Sequence, residues 1–313
     1  MVKGFGHLHV HTEYSTLDGM SKVKELVKRA KELGQEFIAI TDHGSMGGHY
    51  EFEKICKEEG IKPILGCEFY MSKGDTACKE DQGYHIIVFA KDQIGLQNLY
   101  RLQARAFKEN FYRKPHVNFK MLSELKEGLV ISSACIGGVI GQLTLDNPLE
   151  AKLEAKKYKD TFGDDFYLEI QPNDILDQQV MNKEVIKIAK ELDIKLIATN
   201  DIHYVLLALQ VGQKMNNEKR FKFPTNDYWC KSTEEMIETF VGYSANEKVY
   251  IMEAILNTAN TFDFDTLASL NMFNERLANT IFNNAPFDNV DEVQKVIGRG
   301  FSTHFSERIL SIL

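Results

Sequence analysis

The sequence lacks most of the features that would mark a secreted, membrane-spanning or disordered protein. No apolar run reaches the roughly 18–20 residues that a membrane helix needs. Met1 to His11 holds no charged segment followed by an apolar one, so no secretory leader is expected. Tracts rich in Gly/Ser or Pro are missing, and the apolar content is too high for a disordered chain. The five cysteines, Cys56, Cys67, Cys78, Cys135 and Cys230, are odd in number, widely spaced and without a CxxC pair. That argues against a disulfide framework and fits a reducing cytoplasm. Positive charge is short as well: 37 Lys and Arg face 45 Asp and Glu, a net charge of −8 over 313 residues. A protein that coats nucleic acid non-specifically is basic, so any contact with nucleic acid here needs a local site or a bound cation to supply the positive field.

What is present is an ordinary globular composition, 43% hydrophobic and 26% charged, long enough for one large α/β domain and a smaller appendage. Short apolar runs alternate with amphipathic stretches over the first two hundred residues. Strands are expected at Phe5–Val10, Phe37–Thr41, Ile61–Tyr70, His85–Ala90, Leu129–Ser132, Phe166–Ile170 and Leu196–Thr199. Helices are expected at Ser21–Leu33, His49–Glu59, Gln93–Phe107, from Leu149 and at Val180–Leu192. Such alternation implies parallel strands buried on both faces, and seven of them suit a barrel or a distorted relative. Beyond about residue 205 the pattern turns helical, with helices expected at Ser232–Phe240, Glu247–Asn260, Leu267–Phe282 and within Asp288–Leu313. The expected division is therefore 1–210 and a helical extension over 211–313.

Metal-competent residues gather at the expected strand ends. His9 and His11 sit two apart at the end of the first strand and face one side. Asp18 follows in the next loop, His43 comes after the second strand, Glu68 closes the third and His85 opens the fourth. Cys135 follows the fifth, and Asp201 and His203 follow the seventh. At the mouth of a parallel barrel these side chains converge on one site. Asp42 is a candidate for holding an imidazole in one tautomer, or else caps a turn. His7 reads as a core or supporting histidine, and His49, His116 and His304 as surface or capping residues.

The run from His7 to Ser15 with Leu17-Asp18-Gly19 resembles the opening of the PHP (polymerase and histidinol phosphatase) domain family. Thr41-Asp42-His43-Gly44, Leu65-Gly66-Cys67-Glu68, Ser133-Ala134-Cys135 and Ala198-Thr199-Asn200-Asp201-Ile202-His203-Tyr204 continue the likeness in order. It is nearest to the PHP domain that opens the alpha subunit of bacterial DNA polymerase III. It covers residues 3–205 and persists faintly over 220–240. The resemblance implies a distorted seven-stranded (β/α) barrel with a small, mainly helical C-terminal appendage, holding three divalent ions, zinc or manganese with magnesium as a further option. By resemblance, His9, His11, Glu68 and Asp201 hold the first ion and carry catalysis. Glu68, His85 and Cys135 hold the second, and Asp18, His43 and His203 the third. Cys135 stands where phosphatase relatives use histidine, and a thiolate favours zinc. Four anionic ligands around three divalent ions leave the pocket at about +2, enough to hold a phosphate inside an acidic protein.

The implied activity is metal-dependent phosphodiester hydrolysis, a 3′–5′ exonuclease acting on DNA as a single strand or 3′ end, with replication proteins as partners, in the cytoplasm and away from membranes. A small-molecule phosphatase of the histidinol-phosphate type and a catalytically silent scaffold stay open as alternatives. Gly44-Ser45-Met46-Gly47-Gly48 lacks the Lys-Ser/Thr of a phosphate-binding P-loop and reads as a flexible loop. Phe262-Asp263-Phe264-Asp265 resembles paired polymerase aspartates, but too few residues follow to build a palm, so polymerisation is not expected from this chain alone. Lys214, Lys219, Arg220 and Lys222, interleaved with Phe221 and Phe223, read as a solvated linker or a strand contact.

Overall fold

Alternating inward and outward side chains organise the computed structural model, which describes residues 5–16, 18–78, 83–205 and 225–260. Eight strands form one mixed sheet: β1 (Phe37–Ile40), β2 (Lys62–Met71), β3 (Tyr84–Ala90), β4 (Phe111–Tyr112), β5 (Lys114–Val117), β6 (Leu129–Ser132), β7 (Phe166–Ile170) and β8 (Lys195–Ala198). Helices α1 (Val23–Glu32), α2 (His49–Glu59), α3 (Gln93–Glu109), α4 (Phe119–Glu124), α5 (Val139–Asp146), α6 (Pro148–Phe162) and α7 (Leu176–Leu192) surround it. α8 (Thr233–Thr239) and α9 (Ala245–Asn260) follow. The helices expected at 267–282 and 288–313, the basic run at 214–223, the paired aspartates at 263–265 and His304 lie outside the described residues.

The sheet closes into a distorted barrel of seven staves. β1, β2, β3, β6, β7 and β8 pair in that order. The seventh stave is the segment around His7–Thr12, bonded to β1 through Ala39 N–H to His7 O and Thr41 N–H to Val10 O. On its other side His11 N–H donates to Ile202 O, and Ile202 N–H to His9 O. The strand expected at Phe5–Val10 is thus an irregular stave with isolated bridges, not a ladder. The Val10 N–H goes to Thr41 Oγ1, and the Thr12 N–H to Asp42 Oδ1, so side chains take donors that a ladder would use.

The expectation of parallel strands throughout is corrected at β3, which runs antiparallel to both β2 and β6. The reversal places His85, at the start of β3, on the same rim as the ends of the parallel strands. A β4–β5 hairpin and helices α4 and α5 were not foreseen. The hairpin leans on the far end of β2, where Tyr70 pairs with His116.

Inside the barrel Phe37, Ala39, Ile64, Ile87, Phe89, Val130, Tyr167 and Ile197 form an apolar plug. The next inward position toward the rim is polar on each neighbouring strand: His85 after Ile87, Ser132 after Val130, Glu169 after Tyr167, Thr199 after Ile197. Outward residues such as Ile86, Val88, Ile131 and Leu168 pack under α3–α7, and Ile38 and Ile40 pack under α1 and α2. Full burial of such a side chain contributes about 1.5–3 kcal/mol. In α1 the spacing Val23, Leu26, Val27, Ala30 supplies the packed stripe.

The extension is stitched to the rim of β8. Asn200 Nδ2 donates to Asp227 O and Trp229 O at 2.7 Å each, and His203 N–H and Tyr204 N–H donate to Tyr228 O. Lys231 Nζ, fully buried, donates to Asn200 Oδ1 at 2.8 Å and to Asp227 O. His7, a core histidine, donates from Nε2 to Lys231 O at 2.8 Å. Ser232 caps α8 in a reciprocal box with Glu235.

Candidate metal centre

The rim gathers eight of the nine expected ligands around two carboxylates. Glu68 Oε1 lies 2.9 Å from His85 Nδ1 and 3.3 Å from His9 Nε2, and its Oε2 lies 2.5 Å from His43 Nδ1 and 3.5 Å from His11 Nε2. Asp201 Oδ1 lies 3.1 Å from His9 Nε2 and 3.2 Å from both His11 Nε2 and His203 Nε2. Asp18 stands at the edge, with Oδ2 at 3.2 Å from His43 Nε2 and Oδ1 at 3.9 Å from His203 Nδ1. The His11 ring stacks between those of His43 and His203, at centroid separations of 4.1 and 4.3 Å. Three groups have donor atoms close enough to share an ion: His9, His11 and Asp201; His43, Glu68 and His85; His11, His43 and His203. Cys135 is the ninth expected ligand. Its Sγ lies 3.8 Å from His85 Nδ1 and accepts from Gly137 N–H; Cys135 and Asp18 both fall outside those three groups, which hold the other seven.

Local backbone geometry aims these side chains. Asp201 has φ 46 and Ala134, just before Cys135, has φ 60; both lie in the left-handed region, which L residues other than Asn and Asp seldom adopt. Gly44, directly after His43, has φ 56, and its N–H donates to Glu68 O, which turns the chain away from the rim. Gly138 has no room for a Cβ, which would sit 2.2 Å from Ser133 O, so the chain can fold tightly behind Cys135.

Two hydrogen-bonded relays fix the imidazoles from behind. His9 Nδ1–H donates to Glu169 Oε1 at 2.7 Å, leaving Nε2 facing the rim. Glu169 is fully buried and accepts from Ser132 Oγ at 2.6 Å, Thr199 Oγ1 at 2.5 Å and Gln171 Nε2 at 2.9 Å. His11 Nδ1 bonds Ser15 Oγ at 3.1 Å, and Ser15 Oγ donates to Asp42 Oδ1 at 2.7 Å. Asp42 also accepts from Thr12 N–H and Thr12 Oγ1, so it both caps the turn and reaches His11 through Ser15. The sequence reading passed over Glu169. The available signal was one acidic residue in a strand expected to be buried on both faces, where a carboxylate needs partners. His49 and His116 are corrected: both are buried, with His49 Nε2 donating to Gly66 O and His116 Nδ1 to Lys114 O.

The electrostatics are those of a cation cage. Burial works against the charge on Glu68 and on Asp201, but the surrounding imidazoles outweigh it and hold both carboxyls well below the usual range. Burial likewise disfavours charge on His43, yet Glu68 and Asp18 hold its pKa at about 10. Burial and the charges of His43 and His203 push His11 down to about 3. The fit to metal is tested by the atoms without hydrogen bonds. His9 Nε2, His11 Nε2, His43 Nδ1, Asp18 Oδ1 and both Glu68 oxygens are buried and have no hydrogen-bond partner among the described residues. Their lone pairs are aimed at one another across the rim at ion-pair distances without hydrogen-bond geometry, an arrangement that a shared cation satisfies. A mixed imidazole and carboxylate set is compatible with divalent cations.

Residues 7–173 match the family described as PHP domain. The chain belongs to the PHP domain family. This PHP chain is 42% identical over 252 residues to the DNA polymerase III subunit alpha of Borreliella burgdorferi, covering 75% of this chain and 22% of that protein. It is 40% identical over 289 residues to the same subunit of Aquifex aeolicus, covering 84% of this chain and 25% of that one. It therefore spans about a quarter of the length of the curated relatives it matches. A family described as cytidyltransferase-related C-terminal region matches residues 228–313. Among solved structures, an amidohydrolase from Chromobacterium violaceum aligns at TM-score 0.44 and 16% identity, over 64% of this chain and 88% of that one. A two-domain Bacteroides vulgatus protein described as containing a predicted PHP-like metal-dependent phosphoesterase aligns at TM-score 0.40 and 15% identity, over 64% and 52%. No helix among the described residues is long and apolar enough to cross a membrane.

If Glu169 orients His9, Glu169→Gln weakens metal binding by about 10–100-fold, the usual cost of losing such a partner. Competition of the purified variant against a chelating dye measures this; affinity equal to the parent's would remove Glu169 from the site.

Proposed function

We propose that this chain is a metal-dependent phosphodiesterase, acting as a 3′–5′ exonuclease on DNA in the setting of replication. The observation that carries the reading is the set of buried nitrogen and oxygen atoms of His9, His11, His43, Glu68 and Asp18 that crowd one rim without forming hydrogen bonds. Three divalent ions are proposed there, zinc or manganese. One is held by His9, His11, Glu68 and Asp201, one by Glu68, His85 and Cys135, and one by Asp18, His43 and His203. Bound ions supply Lewis-acid polarisation of the phosphoryl oxygens and a lowered pKa for water.

The chain's own residues do the rest. Glu169 and the Ser15–Asp42 pair hold the His9 and His11 lone pairs toward the rim. Glu68 and Asp201 bring negative charge to the centre, so that the cations are retained and the phosphate is met by their net positive excess. The apolar plug beneath, with Ile87, Val130 and Ile197, closes the barrel below the rim. We place the chain in the cytoplasm, where its five free thiols stay reduced, and keep 1–210 and 211–313 as its two units of organisation.

The reading predicts one to three equivalents of zinc or manganese in the purified protein and a lower melting temperature in chelator. Elemental analysis with paired thermal melts checks both. With manganese, the chain is expected to shorten 3′-labelled single-stranded DNA. Hydrolysis of histidinol phosphate alone would make it a small-molecule phosphatase. Metal binding without hydrolysis of either would make it a scaffold.

A further inference from the structure

Resting on the phosphodiesterase reading, we infer that the β4–β5 hairpin and the end of α3 form a docking surface for a single nucleic-acid strand beside the metal rim. Arg113 and Lys114 meet its phosphates, and Phe107 and Phe111 its bases.

Packing makes this surface continuous with the rim. Tyr70 on β2 lies against His43 and His85, at ring separations of 6.1 and 5.8 Å, and the Lys114 ammonium sits 3.9 Å from the centre of the same Tyr70 ring. Lys114 is thus separated from two proposed ligands by one aromatic ring. From the other side, Gln103 Nε2 on α3 donates to the carbonyl of Gly44, the residue after His43, at 2.9 Å. Phe107 is one helical turn beyond Gln103 on the same face.

The surface has features that folding alone does not ask for. Phe107 and Phe111 stack at 6.0 Å and 26°, yet they are 53% and 55% exposed. Two stacked rings left in water are a platform for flat, apolar groups. Arg113, at the hairpin tip, has φ 60, a conformation that glycine or asparagine would adopt with less strain. Its guanidinium lies 5.6 Å from the Tyr112 ring centre and is exposed. Neither Arg113 nor Lys114 forms an ion pair with any described carboxylate. In a chain of net charge −8, two adjacent unneutralised cations next to a phosphoester site mark where a polyanion lies. A lone phosphate or a small ester needs no stacked rings. A strand with alternating phosphates and bases engages both.

The test uses the full chain and a fluorescein-labelled oligothymidylate of about twelve nucleotides, within the span that one such groove covers. Binding is read by anisotropy on the metal-loaded chain with a phosphorothioate backbone in the oligothymidylate, so that it is independent of hydrolysis. Arg113→Gln with Lys114→Gln is expected to weaken binding at least tenfold and to lower the salt slope by about 1.4, for two phosphates. Phe111→Ala is expected to weaken binding about fivefold or more with the slope retained. Lys114→Arg alone is expected to keep near-parental binding. With manganese, the ratio of kcat/KM for the oligonucleotide to that for bis(p-nitrophenyl) phosphate is expected to fall at least tenfold in the double variant.

A parent that does not bind the oligonucleotide, or folded variants that bind within twofold of it, overturn the surface. If the parent hydrolyses neither substrate, the phosphodiesterase reading fails while the anisotropy result still decides the surface.

Discussion

Replacing Glu68 with glutamine is expected to remove at least one metal equivalent and to lower phosphoester hydrolysis more than 100-fold, with the fold retained. Glutamine has the same shape, so packing against Ile87 in the β2–β3 register is kept. What changes is charge and donor character. In the parent, two carboxylate oxygens face His9, His11, His43 and His85 at 2.5–3.5 Å. In Glu68→Gln one of those positions becomes an amide N–H₂, a donor turned toward imidazole nitrogens that must offer lone pairs to an ion. The magnitude follows from comparison. A partner one bond removed, such as Glu169, costs about 10–100-fold in affinity. Glu68 is proposed as a direct ligand shared by two ions, so its loss exceeds that range. Elemental analysis and kcat/KM at matched folded fraction are the measurements. Glu59→Gln, a surface carboxylate paired with Lys31, is the control. Parental metal content together with activity within tenfold in Glu68→Gln would sink the assignment of Glu68 as the bridging ligand.

How much of this was legible beforehand depends on what periodicity encodes. The strands β1, β6, β7 and β8 read as short apolar runs buried on both faces, and they fell within a residue of where the sequence placed them. Strand direction leaves no mark on such runs, so the reversal of β3 was missed. The usable signal was in the connection. Residues 72–83 carry no helical apolar pattern, whereas a parallel crossover within a sheet is usually made by a helix. The hairpin Phe111–Val117 was missed because its strands are two and four residues long, too short to show a period. That omission is also why His116 was read as a surface residue: it is buried by pairing with Tyr70.

The site was more legible than the fold details, for a chemical reason. His, Asp and Glu at strand ends stand out against apolar strands. Their partners behind the rim do not, because Ser15, Ser132, Thr199 and Gln171 are common polar residues whose role appears only when distant segments meet. Glu169 was the exception that could have been found. The contribution of the extension could not. Asn200, beside Asp201, is held by backbone carbonyls at positions 227 and 229, and nothing in local sequence links positions so far apart.

Lys231→Met is expected to flatten the rise in stability expected of the parent between pH 8 and 10.5, and to weaken metal binding at pH 7 by less than about tenfold, since Lys231 bonds Asn200 rather than a ligand. Burial pushes the Lys231 ammonium down to about 8, against a partial pull upward from Asp227 and Glu235. The folded-state pKa thus lies below the unfolded value of about 10.4. Between the two values the unfolded chain binds the proton and the folded chain does not, so stability rises with pH across that window. Below about pH 8 both states are protonated, and the folded state carries a constant penalty of roughly 3 kcal/mol. Methionine keeps the stem volume and removes that penalty. It also leaves Asn200 Oδ1 without its donor, at about 1–3 kcal/mol, while Asp227 O keeps the bond from Asn200 Nδ2. The two effects nearly offset at pH 7, so the variant folds. The lost clamp is felt instead at Asp201 and His203, whose loop it anchors. Urea melts at pH 7 and pH 10, with a metal titration at pH 7, separate the two consequences. Parallel pH profiles for parent and variant would show that Lys231 has the same pKa folded and unfolded, and so carries its charge in the fold across this range. Unchanged metal affinity would show that residues 227–231 pack against the site without shaping it.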